Sequence, residues 1–155
     1  MDALRRNILK NAGGVGLVGL AIGAGLLKPT LALADWNKIA FDAKTLPETM
    51  KALGVASAAE SKDIVIKAPD IAENGVVVPV EVTSNIPNTE YIMVLAEHNP
   101  SPLIADFDLS NGAMGYVAIR IKMGKTGPVQ AVVKANGKFY TAFKEVKVTI
   151  GGCGG

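Results

Sequence analysis

The chain has 155 residues, enough for one domain, and 49% of them are apolar while 19% are charged. Four of the 16 basic residues but only one of the 14 acidic residues fall in the first 34 positions, so the remainder is close to neutral. No nucleic-acid-binding surface is therefore expected, and the single cysteine excludes an internal disulfide.

Residues 1–34 have the organisation of an export signal. Paired arginines precede a glycine-rich apolar run, 12–27, and a small-x-small triplet follows it. The paired arginines are similar to a twin-arginine (Tat) signal, although an ordinary secretory signal with two arginines is the alternative. The run is too short for a stable membrane anchor, and the small-x-small triplet predicts cleavage after residue 34 and export of the remainder. The signal residues are Arg5, Arg6, Ala32 and Ala34.

Residues 35–60 carry apolar side chains at helical spacing, which predicts two short helices. Asp35 is expected to cap the first helix. The second is expected to begin near Pro47 and to end at Gly54. The apolar face of the first helix is predicted to comprise Trp36, Ile39 and Ala40.

From residue 63 onward, short β-branched runs alternate with turn residues, which predicts about seven strands. Pro79 removes one hydrogen-bond donor and indicates a sheet edge or a bulge. Asn136-Gly137 predicts a tight hairpin. We therefore expect residues 35–150 to form an all-β, immunoglobulin-like antiparallel β-sandwich with short N-terminal helices. The predicted strands are 64–66, 76–83, 91–95, 103–109, 116–121, 129–133 and 139–150.

The body of this domain offers little that is typical of an active site. Asp106 and Asp108 face the same side of a predicted strand, which favours a solvated face over acid/base work. The glycines of 112–115 and 124–127 lie between strands and predict turns rather than a phosphate-binding loop. One histidine, His98, and one cysteine cannot build a metal site alone, so no metal is expected.

The last five residues are different in composition from all that precedes them. They place the only cysteine between two pairs of glycines, and glycine loses the most backbone freedom on ordering, so we expect a mobile arm. A free thiol has a pKa near 8.5, and about 3% of it is thiolate at pH 7. We interpret the segment as a swinging arm that presents a covalently attached group to partner enzymes. The arm comprises Cys153 and the glycines Gly151, Gly152, Gly154 and Gly155.

Three alternatives remain at this point. The thiol could form an intermolecular disulfide in a structural or interaction module, or His98 could act as its base in a thiol enzyme. The segment could also be a frayed end with an accidental cysteine.

An exported small β-domain that ends in Gly-Gly-Cys-Gly-Gly resembles the SoxY family of thiosulfate-oxidation carriers. The segment 71–80, Ile-Ala-Glu-Asn-Gly-Val-Val-Val-Pro-Val, is similar to the family as well. The resemblance implies a periplasmic heterodimer with a SoxZ subunit and a carrier that is not itself an enzyme. It also implies that Cys153 holds the substrate as an S-thiosulfonate adduct, without a further cofactor.

The resemblance also implies a set of partner enzymes. A haem-containing enzyme, SoxAX, would load thiosulfate, a hydrolase, SoxB, would release sulfate, and a sulfur dehydrogenase would oxidise the remaining sulfur where it is present.

Overall fold

A computed structural model describes residues 37–109 and 112–149 of the chain. The predicted export signal, 1–34, and the predicted arm, 151–155, lie outside these residues. Over the described ranges the chain forms two short helices and nine strands. The helices are α1 (Lys38–Asp42) and α2 (Leu46–Ala52). The strands are β1 (Ala59–Glu60), β2 (Ile64–Lys67), β3 (Ile71–Ala72), β4 (Val78–Ser84), β5 (Thr89–Ala96), β6 (Leu103–Asp108), β7 (Tyr116–Ile121), β8 (Gly127–Ala135) and β9 (Lys138–Val148).

The first helix begins later than its sequence pattern predicts. Its N-cap is Asn37, not Asp35, because the Asn37 side chain accepts a hydrogen bond from the Ala40 backbone N–H at 3.1 Å. The predicted apolar face is also only partly right. Ala40 is fully buried, whereas the Ile39 side chain is 77% exposed.

The second helix follows its sequence signals closely. Thr45 is the N-cap, and Pro47 occupies the first turn, where a missing N–H costs nothing. Leu53 is the C-cap, and Gly54 follows it with a φ of +72°. A left-handed residue directly after a C-cap favours glycine, so the predicted helix end is confirmed within one residue.

The strands form two sheets. The larger sheet has the order β1-β9-β8-β5-β6, and β3 also pairs with β9; the smaller sheet has the order β2-β4-β7. All the long strand pairs are antiparallel, whereas β1 and β3 add to β9 in parallel. The predicted antiparallel sandwich with short N-terminal helices is confirmed, and the two additional two-residue strands were not predicted.

Pro79 has the edge environment that the sequence predicts, although it lies on the middle strand of the smaller sheet. The pairing of β4 with β2 extends only from Glu81 to Ser84. Pro79 lies beyond that end and has only β7 beside it. Its missing N–H therefore leaves no gap between two paired strands.

Two groups of buried apolar side chains stabilise this arrangement. The first lies between the sheets and includes Val80, Ile92, Val129 and Val146. The second lies on the opposite face of the larger sheet, where the two helices cover side chains such as Met93 and Leu95. Burial on both faces explains the nearly continuous apolar run of β8. None of the helices within the described ranges has the length and hydropathy needed to cross a membrane.

Candidate functional site

The candidate site begins where β9 ends, because the predicted arm follows directly from that strand. Thr149 is the final described residue, and Cys153 comes four residues later. The predicted site residues 151–155 lie outside the described residues, as do Arg5, Arg6, Ala32 and Ala34 of the predicted signal. The structure therefore describes the base of the arm.

The end of β9 is held on one side by β3. Ala72 pairs with Val148 in parallel register. The Ala72 carbonyl accepts hydrogen bonds from the Thr149 backbone N–H at 3.0 Å and from the Thr149 hydroxyl at 3.3 Å. Two residues earlier along both segments, the Lys147 N–H donates to the Asp70 carbonyl at 2.9 Å. These bonds hold the end of β9 and Thr149, the last described residue before the arm.

The loop between β7 and β8 holds the same strand end from another side. The Thr126 hydroxyl oxygen accepts from the Val148 backbone N–H at 2.9 Å. The same hydroxyl donates towards the Val148 carbonyl at 3.4 Å. One side chain thus engages both backbone groups of Val148, which fixes the direction in which the chain leaves the sheet.

Asn99 holds this loop in place. Its side-chain amide donates to the Lys122 carbonyl at 2.6 Å, and its side-chain oxygen accepts from the Gly124 N–H at 3.0 Å. Two backbone groups that would otherwise lack a partner in the turn are satisfied by one residue from the β5–β6 connection. The predicted turn at 112–115 is confirmed as part of a connection between strands, and the one at 124–127 is confirmed except that Gly127 already begins β8.

Gly75 packs against both the loop and the strand end. Its carbonyl accepts from the Met123 N–H at 2.7 Å. A side chain at this position would collide with the Met123 carbonyl and would lie 2.8 Å from the Val148 Cγ1 atom. Only glycine allows the β3–β4 connection to come this close to the base of the arm.

His98 belongs to the same cluster, which the sequence alone does not indicate. Its Nδ1 atom lies 2.7 Å from the Thr126 carbonyl oxygen. Because a carbonyl can only accept, Nδ1 carries the proton, and Nε2 is the nitrogen that remains for contact with a thiol. A side chain at Gly127 would collide with the imidazole, so glycine is required there for His98 to pack. His98 is thus linked through Thr126 to the strand that precedes Cys153.

The two acidic residues considered from the sequence lie elsewhere. Asp106 and Asp108 are exposed on β6, as predicted, towards the end of the sandwich away from the arm. Although the residue is exposed, neighbouring protein atoms displace part of the water around the Asp106 carboxyl group, and this desolvation raises its pKa above the usual 3.8; the Asp108 charge adds to the shift. Asp108 accepts a hydrogen bond from the Tyr91 hydroxyl at 3.3 Å. Within the described ranges, no three His, Cys, Asp or Glu residues are grouped as metal ligands.

The residues that sequence reasoning missed are Gly75, Asn99 and Thr126. The Asn74-Gly75 pair indicates a turn, but its contact with a strand more than 70 positions later has no local signal. Asn99 and Thr126 carry no signal beyond their positions in loops. Hydrogen bonds between distant loops only become visible once the strands are placed.

Comparisons with known proteins identify the family of the chain. Residues 49–153 match the family described as "Sulfur oxidation protein SoxY", and the match ends on Cys153. A similar solved structure is titled "Structure of the sulfur carrier protein SoxY from Chlorobium limicola f thiosulfatophilum". It is 42% identical, covers 68% of this chain and 97% of its own, and has a TM-score of 0.62.

A weaker likeness is to a superoxide reductase (neelaredoxin) from Ignicoccus hospitalis, with 22% identity, coverage of 56% of this chain and 80% of that one, and a TM-score of 0.49. No curated protein matches the chain. The family match spans well over half of the sequence. This chain therefore belongs to the SoxY family of sulfur oxidation proteins.

Proposed function

We propose that this protein is a periplasmic carrier of sulfur intermediates in thiosulfate oxidation, and that the substrate is attached covalently to Cys153. The observation that carries the proposal is the family match that runs to Cys153, the only cysteine of the chain. The held end of β9 supports it, because a fixed base and a glycine-rich extension together suit a group that must enter another protein.

The chemistry of loading requires an oxidant that this chain does not supply. The thiol and thiosulfate combine to form the S-thiosulfonate, R–S–S–SO₃⁻, with release of one proton and two electrons. We propose that the electrons pass to the haem-containing enzyme SoxAX. Hydrolysis of the terminal S–S bond by SoxB then consumes one water and releases sulfate, which leaves a persulfide on Cys153. A sulfur dehydrogenase would oxidise that remaining sulfur where it is present.

In this proposal the protein contributes attachment and presentation rather than catalysis. The domain holds the end of β9 from which the arm extends, and the SoxZ subunit completes a heterodimer. A thiol with an ordinary pKa is mostly protonated at neutral pH, so each partner enzyme would supply the charge or metal that activates it. An export signal at 1–34 would place the carrier in the periplasm.

The first prediction tests the attachment site. Intact-mass measurement after incubation with thiosulfate and SoxAX should show an adduct of two sulfur and three oxygen atoms on the wild-type chain. Cys153→Ser should take up no adduct and should abolish thiosulfate oxidation, while its thermal unfolding stays unchanged. Turnover by Cys153→Ser would overturn the proposal.

The same preparations distinguish the alternatives. A thiol that merely links two copies would give a dimer on non-reducing electrophoresis, and turnover would not depend on reduction. A thiol enzyme would be active as the purified chain alone, and His98→Ala would abolish that activity. The His98 variant is worth testing, because the contact of His98 with Thr126 places the imidazole near the base of the arm.

A further inference from the structure

Three exposed apolar side chains lie beside the point where the arm leaves the domain. Ile71 is 58% exposed, Val76 is 62% exposed and Val77 is 51% exposed. We call these three residues the exit patch. They make up three of the eight large apolar side chains that are exposed within the described ranges, and all three fall within seven positions of one another. Such a concentration of apolar surface commonly marks an interaction site.

The backbone of residues 71–75, which carries or adjoins the exit patch, contacts the base of the arm directly. Ile71 pairs in register with Lys147, one residue before Val148. On the other side of the turn, a Cβ atom added at Gly75 would lie 2.8 Å from the Val148 Cγ1 atom. Val76 follows Gly75 in the chain, so the patch residues belong to two segments that contact β9 near its end.

The exit patch is also preformed. The Asn74 side chain accepts from the Val76 N–H at 2.9 Å, and the Gly75 carbonyl accepts from the Met123 N–H at 2.7 Å. Val78, which begins β4, is fully buried and anchors the segment to the sandwich core. A partner that binds here would not need to order the loop first, which lowers the entropic cost of association.

The length of the arm restricts which partner can cover this surface. Cys153 lies four residue steps after Thr149. At full extension they span about 13–14 Å. A catalytic centre that receives Cys153 must therefore lie within about that distance of the domain surface, so the mouth of its channel must meet the residues around the exit.

We propose that the exit patch is the docking surface for the enzyme that loads the arm, and that this enzyme surrounds the mouth of its active-site channel with apolar side chains. The inference rests on the proposed carrier function and adds to it a recognition surface outside the arm. Contact between the exit patch and the apolar side chains around the channel mouth excludes water from that mouth. It stabilises the complex without any bond to the arm itself.

The test uses the double variant Val76→Thr, Val77→Thr in the full chain, together with any subunit that co-purifies with it. Threonine keeps the β-branched shape and removes apolar surface. With SoxAX and thiosulfate, KM for the carrier should rise about tenfold while kcat is maintained. Alkylation of Cys153 by iodoacetamide should proceed at the wild-type rate, because the thiol itself is unchanged.

Met114→Thr is the matched control, since Met114 is 80% exposed and lies before β7, at the end of the sandwich away from the arm. It should load with the wild-type KM. Ile71→Thr provides an independent variant on β3 should the double variant unfold at a lower temperature, and it should raise KM as well.

Unchanged KM for both exit-patch variants, with normal loading of the wild type, would overturn the docking surface alone. A wild-type chain that takes up no adduct would overturn the proposed function and the docking surface together. If the variants instead lose a subunit that co-purifies with the wild type, the patch belongs to that permanent interface, and docking of the loading enzyme there is wrong.

Discussion

Gly75 is the residue at which the candidate site depends most on the absence of a side chain. Its carbonyl bonds to Met123, and its Cα faces both the Met123 carbonyl and the side chain of Val148. The sequence shows it only as half of an Asn-Gly turn. In the structure, it sets how closely the β3–β4 connection packs against the strand that carries the arm.

We expect Gly75→Ala to lower the free energy of unfolding by about 1–3 kcal/mol, because the added methyl group would displace a backbone carbonyl or a packed side chain. Urea unfolding at neutral pH measures this effect. The matched control is Gly124→Ala in the neighbouring loop, where a Cβ would contact only the Asn99 side-chain oxygen at an ordinary 3.8 Å. Equal stability of Gly75→Ala and the wild type would show that the contact is not tight.

Among the elements, the β8–β9 hairpin is the most completely specified by its own residues. Asn136 and Gly137 have φ values of +50° and +70°, as a two-residue turn between right-twisted strands requires. The Asn88 side-chain amide donates to the Asn136 side-chain oxygen at 3.0 Å. Glu90 on β5 accepts from the Gly137 N–H at 3.2 Å and pairs with Lys134 at 3.1 Å. The turn is therefore bonded to the adjacent connection and strand.

The Gly137 N–H and the Lys134 ammonium lower the pKa of Glu90 below its ordinary value of 4.5. A carboxyl group whose pKa is lower in the folded than in the unfolded state stabilises the fold when the pH is above its unfolded-state pKa. This contribution is lost as the pH falls through the folded-state pKa. Glu90→Gln should therefore be less stable than the wild type at pH 7, by a small amount because the pair is exposed. The difference should disappear in acid, well below pH 4.5.

Urea midpoints of both proteins across this pH range measure the effect. Glutamine keeps an oxygen that can accept from Gly137, so the comparison isolates the charge. Glu97→Gln is the control, because Glu97 is exposed and forms no ion pair with another described residue. A stability difference for Glu90→Gln that persists unchanged at pH 3 would contradict the assignment.

At the scale of the whole molecule, the described residues form two buried clusters that hold the sandwich and the helices together. The cluster between the sheets includes Val146, which is fully buried, and the cluster under the helices uses residues of α1, α2, β5, β6 and β8. The described members of both clusters all precede the predicted arm. Stability and presentation of Cys153 should therefore be separable by mutation.

We expect Gly152→Phe to leave the melting temperature nearly unchanged and to slow loading of Cys153, because a bulky side chain widens the segment that must enter a partner. By contrast, Val146→Ala should cost about 2 kcal/mol of stability while leaving the arm sequence intact. Calorimetry and the loading assay, applied to both variants, measure the two properties independently. A large fall in melting temperature for Gly152→Phe would mean that the arm is docked on the domain.

Much of the strand plan can be predicted from the sequence, because the signals for strands and turns are local. The alternation of β4 and β7, the continuous apolar run of β8 and the Asn136-Gly137 turn each report the surroundings of a few consecutive residues. The N-cap at Asn37 was not predicted from the sequence, because several polar residues near a helix start are able to cap the helix.

The way in which the base of the arm is held could not be predicted from the sequence, because it depends on contacts between distant segments. The two-residue strands β1 and β3 are too short to show any periodicity. The Thr149–Ala72 bond joins positions 77 residues apart, and the link from His98 to Val148 passes through a third segment at Thr126. The sequence itself identifies Cys153 as the candidate for chemistry. The surface around its point of attachment arises from contacts between distant segments, which form only when both sheets have packed.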